Sequence, residues 1–143
     1  MKFKKVIGML LAGVMLISTV PVFAAETGDE PFSKYTCDGG YEEKISYRKK
    51  TNTTKVYTKV STSPQYTMQV RVYGYLNGSY INKTNGGVAY VTRGTNSSIS
   101  NGIYEAGYRY ASMAFRCTGG ENYYGYTSGV WSPDSTKNYE VVN

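Results

Sequence analysis

Beyond residue 24 the chain carries a single leucine, Leu76, and sixteen tyrosines. That imbalance limits the fold more than any other feature, because helices lean on Leu and Ala whereas strands favour Tyr, Thr and Val. From Ala25 onward there are nine Val, four Ile, one Leu and two Phe, sixteen of 119 residues. A share that low is ordinarily a mark of disorder. The tyrosines and Trp131 reverse the inference, since each such ring buries on the order of 150–250 Å² while its polar end stays hydrated. The chain reads as all-β.

Alternation locates the strands. In 41–48, Ile45 and Tyr47 fall on one side and Lys44, Ser46 and Arg48 on the other. In 55–61, Val56 and Val60 oppose Lys55, Tyr57 and Lys59, and in 67–75, Met68, Val70 and Val72 oppose Gln69, Arg71 and Tyr73. Asn77-Gly78 offers the positive backbone angles of a tight hairpin, so 79–82 is expected to run back along the preceding strand. Further strands are expected over 87–93, 108–117 (Ala111, Met113, Phe115 and Cys117 inward) and 123–131, with a Ser/Asn loop at 94–101 that has room for a short strand. Six to eight short strands separated by turn signals predict a small antiparallel β-sandwich. A small barrel is the alternative, because it shows the same alternation.

Residues 1–24 have the three parts of a secretory signal: Lys2, Lys4 and Lys5, an apolar run, then small residues ending at Ala24. The apolar run, about 15 residues, is shorter than the ~20 a membrane-crossing helix needs. A secreted protein, extracellular or associated with the cell wall and without stable membrane insertion, is the expectation. Cleavage would leave 13 basic against 10 acidic residues, lowering the net charge from +6 to +3. Residues 25–36, with Glu26, Asp29 and Glu30, read as a flexible polar leader, and 37–143 as a single β domain.

The chain has no histidine, which removes Ser-His-Asp and Cys-His catalysis and histidine-liganded metals together. Asp38, Glu42, Glu43, Glu105, Glu121, Asp134 and Glu140 show no paired context and read as solvated turn acids. Two of them meeting across a cleft, as in a small glycan-active enzyme, is the remaining enzymatic alternative. No catalytic residue, metal or cofactor is expected. Cys37 and Cys117 are the only cysteines, and export favours a disulfide between them over two buried thiols or a bridge between chains.

The polar strand faces combine rings with cations. Tyr57, Arg71, Tyr73, Tyr108, Tyr110 and Trp131 are the candidate ligand-binding residues, by stacking on sugars or pairing with anionic groups. The plainer reading is that tyrosines on a wet sheet face stabilise one another across strands, and that a lone tryptophan in a small sandwich plugs the core. The matching partners are a cell-wall polymer or a lipid-linked precursor. Nucleic acid is a poor match for an exported chain of net charge +3. A non-enzymatic protein that binds at the bacterial surface is the leading expectation, with a self-associating coat-type protein as the alternative.

The closing stretch Ser128-Gly129-Val130-Trp131-Ser132-Pro133-Asp134-Ser135, after Tyr/Ser/Asn-rich strands and a signal sequence, resembles small secreted proteins of Gram-positive bacteria that form uncharacterised families. The resemblance covers about the last half of the mature chain and implies a β-sandwich, with no activity attached. More loosely, the chain is similar to lactococcin-type bacteriocins, which are exported, tyrosine- and glycine-rich and all-β. It departs from them in its length, its lack of histidine and its two cysteines, so no residue role is carried over.

Overall fold

A computed structural model describes residues 28–37, 40–118 and 123–143. Ten strands follow along the chain: β1 (Glu30–Cys37), β2 (Glu43–Lys44), β3 (Arg48–Lys49), β4 (Lys55–Thr62), β5 (Thr67–Leu76), β6 (Ser79–Asn82), β7 (Ala89–Thr92), β8 (Asn96–Ile99), β9 (Tyr110–Arg116) and β10 (Gly125–Ser135). No helix occurs among the described residues. The expected signal segment and leader residues 25–27 lie outside them, as does the side chain of Cys37, and with it the expected disulfide.

The strands form two antiparallel sheets. The smaller has the order β1-β10-β4-β8 and the larger β2-β9-β5-β6. In the larger sheet β3 continues the β2 column along β9, and β7 continues the β6 column along β5. The sandwich therefore has about four columns per layer, and one of its two sheets curls into a half-barrel. The expected hairpin is present: Asn77 at φ 49° and Gly78 at φ 82° turn β5 into β6.

Alternation is clearest on β5, where every second residue from Met68 to Gly74 is buried. Met68, Val70 and Val72 of β5, and Ala111, Met113 and Phe115 of β9, meet Val56 and Val60 of β4, Ile99 of β8 and Trp131 of β10 in one core. Tyr108 closes one end of it. Its ring lies where a side chain at Gly74 would be, with a Cβ there falling 2.6 Å from the ring, so only glycine fits.

Three expectations are corrected. Residues 30–36 of the expected flexible leader are strand β1, paired along β10 from Glu30↔Trp131 to Tyr35↔Tyr126. Phe32 stacks on Phe115 at 5.0 Å, and buried Thr36 shares a 2.7 Å hydrogen bond with Thr127. The single strand expected over 41–48 is two short ones, and the break between them puts Ile45 in the core while Tyr47 stands outside. Asp134 is a fully buried acid rather than a solvated one. It is 3.0 Å from the equally buried Lys50 ammonium.

The last residues tie the layers together. The Ser98 amide donates to the Glu140 carbonyl, the Val142 amide to the Ser98 carbonyl and the Tyr90 amide to the Val142 carbonyl. Val142 thereby bridges β8 of one sheet and β7 of the other. Asn143 fastens the end, its Oδ1 accepting from the Ser100 amide and its Nδ2 donating to the carbonyls of Asn85 and Ser100.

Candidate functional site

The residues with chemistry to offer gather on the outer, wet face of the larger sheet. Register sets them in rows across the strands. Lys44, Ala114 and Arg71 form one, Ser112, Tyr73 and Asn82 the next, and Tyr75 opposes Tyr80. Lys49 opposes Tyr110 on the same face, and Arg116, Gln69 and Tyr90 make the row at the other end.

β9 lies in the middle with only Ser112 and Ala114 between Tyr110 and Arg116, and these short side chains let longer ones from both flanks lean inward. Tyr47 stacks on Tyr75 with ring centres 4.2 Å apart and planes 12° from parallel. Tyr110 meets Tyr47 edge-on at 5.6 Å, and Tyr80 meets Tyr75 at 4.8 Å. The Lys44 ammonium sits 4.8 Å from the Tyr73 ring centre and 5.6 Å from that of Tyr80. The result is a continuous aromatic patch with a cation set into it, and Tyr47, Tyr80 and Tyr110 remain exposed.

Charge on this face is nearly all of one sign. Arg71 donates to Glu42 Oε2 at 2.7 Å, which occupies the one carboxylate that register or contact places here among the described residues. Burial first, and the neighbouring Glu42 carboxylate second, push the Tyr73 hydroxyl up to about 12. Burial also raises Tyr80. Both shifts keep Tyr73 and Tyr80 as neutral hydrogen-bond donors at physiological pH.

Of the six candidate binding residues, Arg71, Tyr73 and Tyr110 come together on this face. The other three do not. Tyr57 is buried: its hydroxyl donates to Asn96 at 2.8 Å, and Tyr139 and Lys137 of the C-terminal tail cover its ring. Tyr108 faces the core side over Gly74, with Lys83 5.4 Å from its ring centre. Trp131 is 2 % exposed and fills the core, with the Arg48 guanidinium 5.5 Å from its ring. In each case the strand faces the core, or is covered by a segment that lies far away in sequence.

Tyr47, Tyr75, Tyr80 and Lys44 belong to the patch although sequence reasoning did not select them. The signal for Tyr75 and Tyr80 was present, because the Asn77-Gly78 turn places them opposite one another. For Tyr47 there was none, since the break between β2 and β3 reverses its face.

A second recess lies where the edge of β1 faces the β2–β3 column. It is a cleft of about 370 Å³ lined by residues including Phe32, Lys34, Ile45, Ser46 and Arg48. Two ion pairs cross it in opposite senses, Glu30 with Arg48 at 3.1 Å and Lys34 with Glu43 at 3.8 Å. Its charges already satisfy one another, so the wet face of the larger sheet is the better candidate. No group of three or more Cys, Asp or Glu side chains is placed to hold a metal ion among the described residues.

No curated protein and no solved structure matches the chain. A family model described as "Protein of unknown function (DUF2712)" matches residues 20–135, which takes in both sheets, and the chain belongs to that family.

Proposed function

We propose that this is an exported, non-enzymatic protein that binds at the bacterial cell surface or wall through the wet face of its larger sheet. The observation that carries the reading is the run Tyr110-Tyr47-Tyr75-Tyr80, exposed at Tyr110, Tyr47 and Tyr80, with Lys44 set into it. The parts of these rings left uncovered by their neighbours offer apolar surface to sugar rings and hydroxyls to their polar groups, while the cation attracts acidic substituents. Bacteriocin-like action on a competitor, through a wall polymer or a lipid-linked precursor, is one form such binding takes.

The test is a pull-down of the purified protein with whole Gram-positive cells and isolated walls, beside a Tyr47→Ala/Tyr80→Ala variant. Saturable binding that the variant weakens about tenfold is expected, two ring contacts being worth ~1–3 kcal/mol together. Absence of binding to both preparations would sink the reading. Growth inhibition of the cells that bind then separates a toxin from a wall-resident protein.

One observation favours the self-associating alternative. β6 is an edge strand with all four residues exposed and no charge among them, the form of edge through which sheets pair. Sedimentation that shifts with concentration in the absence of any ligand, and reverts in an Ile81→Lys variant, would move the assignment there.

A further inference from the structure

We infer that the anionic groups this face reads are the phosphates of a phosphodiester-linked wall glycopolymer, an inference that rests on the surface-binding reading above. By register Arg116, Arg71 and Lys44 lie on the wet face, and among the described residues the carboxylate placed there is that of Glu42, which Arg71 already holds.

The arrangement suits a chain of alternating charges and rings. Same-face positions recur every ~7 Å along a strand and ~5 Å between strands, so cations and tyrosines interleave at the scale of a sugar–phosphate repeat. The Lys44 ammonium meets two rings and no carboxylate, which leaves its charge available to an incoming phosphate. A neutral glycan would use the rings and leave these cations idle. A phosphodiester stays ionised throughout the physiological range and accepts hydrogen bonds from lysine, arginine and tyrosine alike.

Lipid phosphates share the chemistry but not the shape. The apolar side chains of the β5–β6 hairpin, Leu76 and Ile81, are exposed. They alternate with Tyr75 and Tyr80 and so project from the opposite side of the sheet. A bilayer therefore cannot take up the apolar anchor and the cationic face together.

The experiment compares the purified protein on intact Gram-positive walls, on the same walls stripped of phosphate polymer with hydrofluoric acid, and on anionic phospholipid vesicles. Each arm is run at low and high salt, beside a Lys44→Gln/Arg116→Gln variant whose thermal midpoint is checked against wild type. Binding to intact walls that falls at least tenfold on stripping is expected. It should weaken with salt and drop about three- to tenfold in the variant, as two exposed charge contacts would predict. Equal, salt-insensitive binding to stripped walls would overturn the phosphate inference and leave the surface-binding reading standing. Vesicle binding as tight as wall binding would overturn it in favour of a lipid. Absence of binding to either wall would remove the surface-binding reading itself.

Discussion

Lys50 and Asp134 show what a single residue contributes here. Both side chains are fully buried, and every donor and acceptor is used. The Lys50 ammonium donates to the carbonyls of Thr54 and Pro133 and to Asp134 Oδ1, while Asp134 Oδ2 accepts from the Thr51 amide and hydroxyl. Burial lowers the Lys50 pKa against the opposing pull of Asp134. Removing one partner strands a charge out of water, so Asp134→Ala should cost about 3–5 kcal/mol in urea unfolding. Lys50→Met/Asp134→Leu, which removes both, should recover most of that loss. At Tyr73 the folded state holds its proton more tightly than the unfolded chain, with a pKa of about 12 against 10. Its contribution to stability is therefore complete below pH ~10 and lost as pH rises toward 12. Phenolate absorbance titrations of the wild type and of Tyr73→Phe should differ by one group ionising near pH 12.

Among the elements, β10 carries the closest tolerance. At Gly129 the register against β4 shifts, and a Cβ there would overlap the Lys59 carbonyl oxygen, on backbone that cannot step aside. Gly129→Ala should therefore leave little folded protein at 37 °C, read by near-ultraviolet circular dichroism, whereas Gly86→Ala, in open space, should fold with a cost about that of its positive φ. The tail is the second element with a distinct role. Deleting Glu140–Asn143 removes three backbone hydrogen bonds between the sheets and the Asn143 clasp, a loss of about 2–4 kcal/mol by thermal or chemical denaturation. Strands β4, β5 and β9 were legible in the sequence because apolar residues alternate along the side that meets the core, and β6 because the Asn77-Gly78 turn folds it back on β5. β1 was not, because its inward positions are Phe32, Lys34 and Thr36, a mixed set whose burial depends on Phe115 and Thr127 from the far end of the chain.

At the scale of the whole molecule the two layers meet along unlike seams. One is bridged by the tail through Val142, and the other by the crossed pairs Glu30–Arg48 and Lys34–Glu43. Lys34–Glu43 is exposed at both ends and Glu30–Arg48 at its glutamate, so both pairs weaken with salt and the second seam should open first. Hydrogen exchange in high salt should rise at β1 and β2 before it rises at β7 and β8. Cys117 is buried beside Met68 at the end of β9, with the sulfurs 3.7 Å apart. We propose that it pairs with Cys37, closing a loop of about 80 residues, which would stabilise the fold by ~4 kcal/mol in the chain-entropy model. Intact mass under non-reducing conditions, two hydrogens below the reduced value, is the expected result. An unchanged mass would leave the sandwich held by packing alone.

By itself the sequence determined the class of fold: a chain poor in Leu and Ala and rich in Tyr, Thr and Val, alternating between Gly- and Asn-bearing turns, has strands as its only efficient way to bury surface. It also limited the chemistry, through the absence of histidine, and marked Arg71, Tyr73 and Tyr110 as outward-facing. Only the tertiary structure decided which rings form a surface. Tyr57 and Tyr108 were equal to those three by alternation, but a covering tail and a glycine beneath a ring took them inside, and Trp131 fills the core. Local periodicity records which side of a strand a residue occupies; what lies on that side is set by segments distant in the chain.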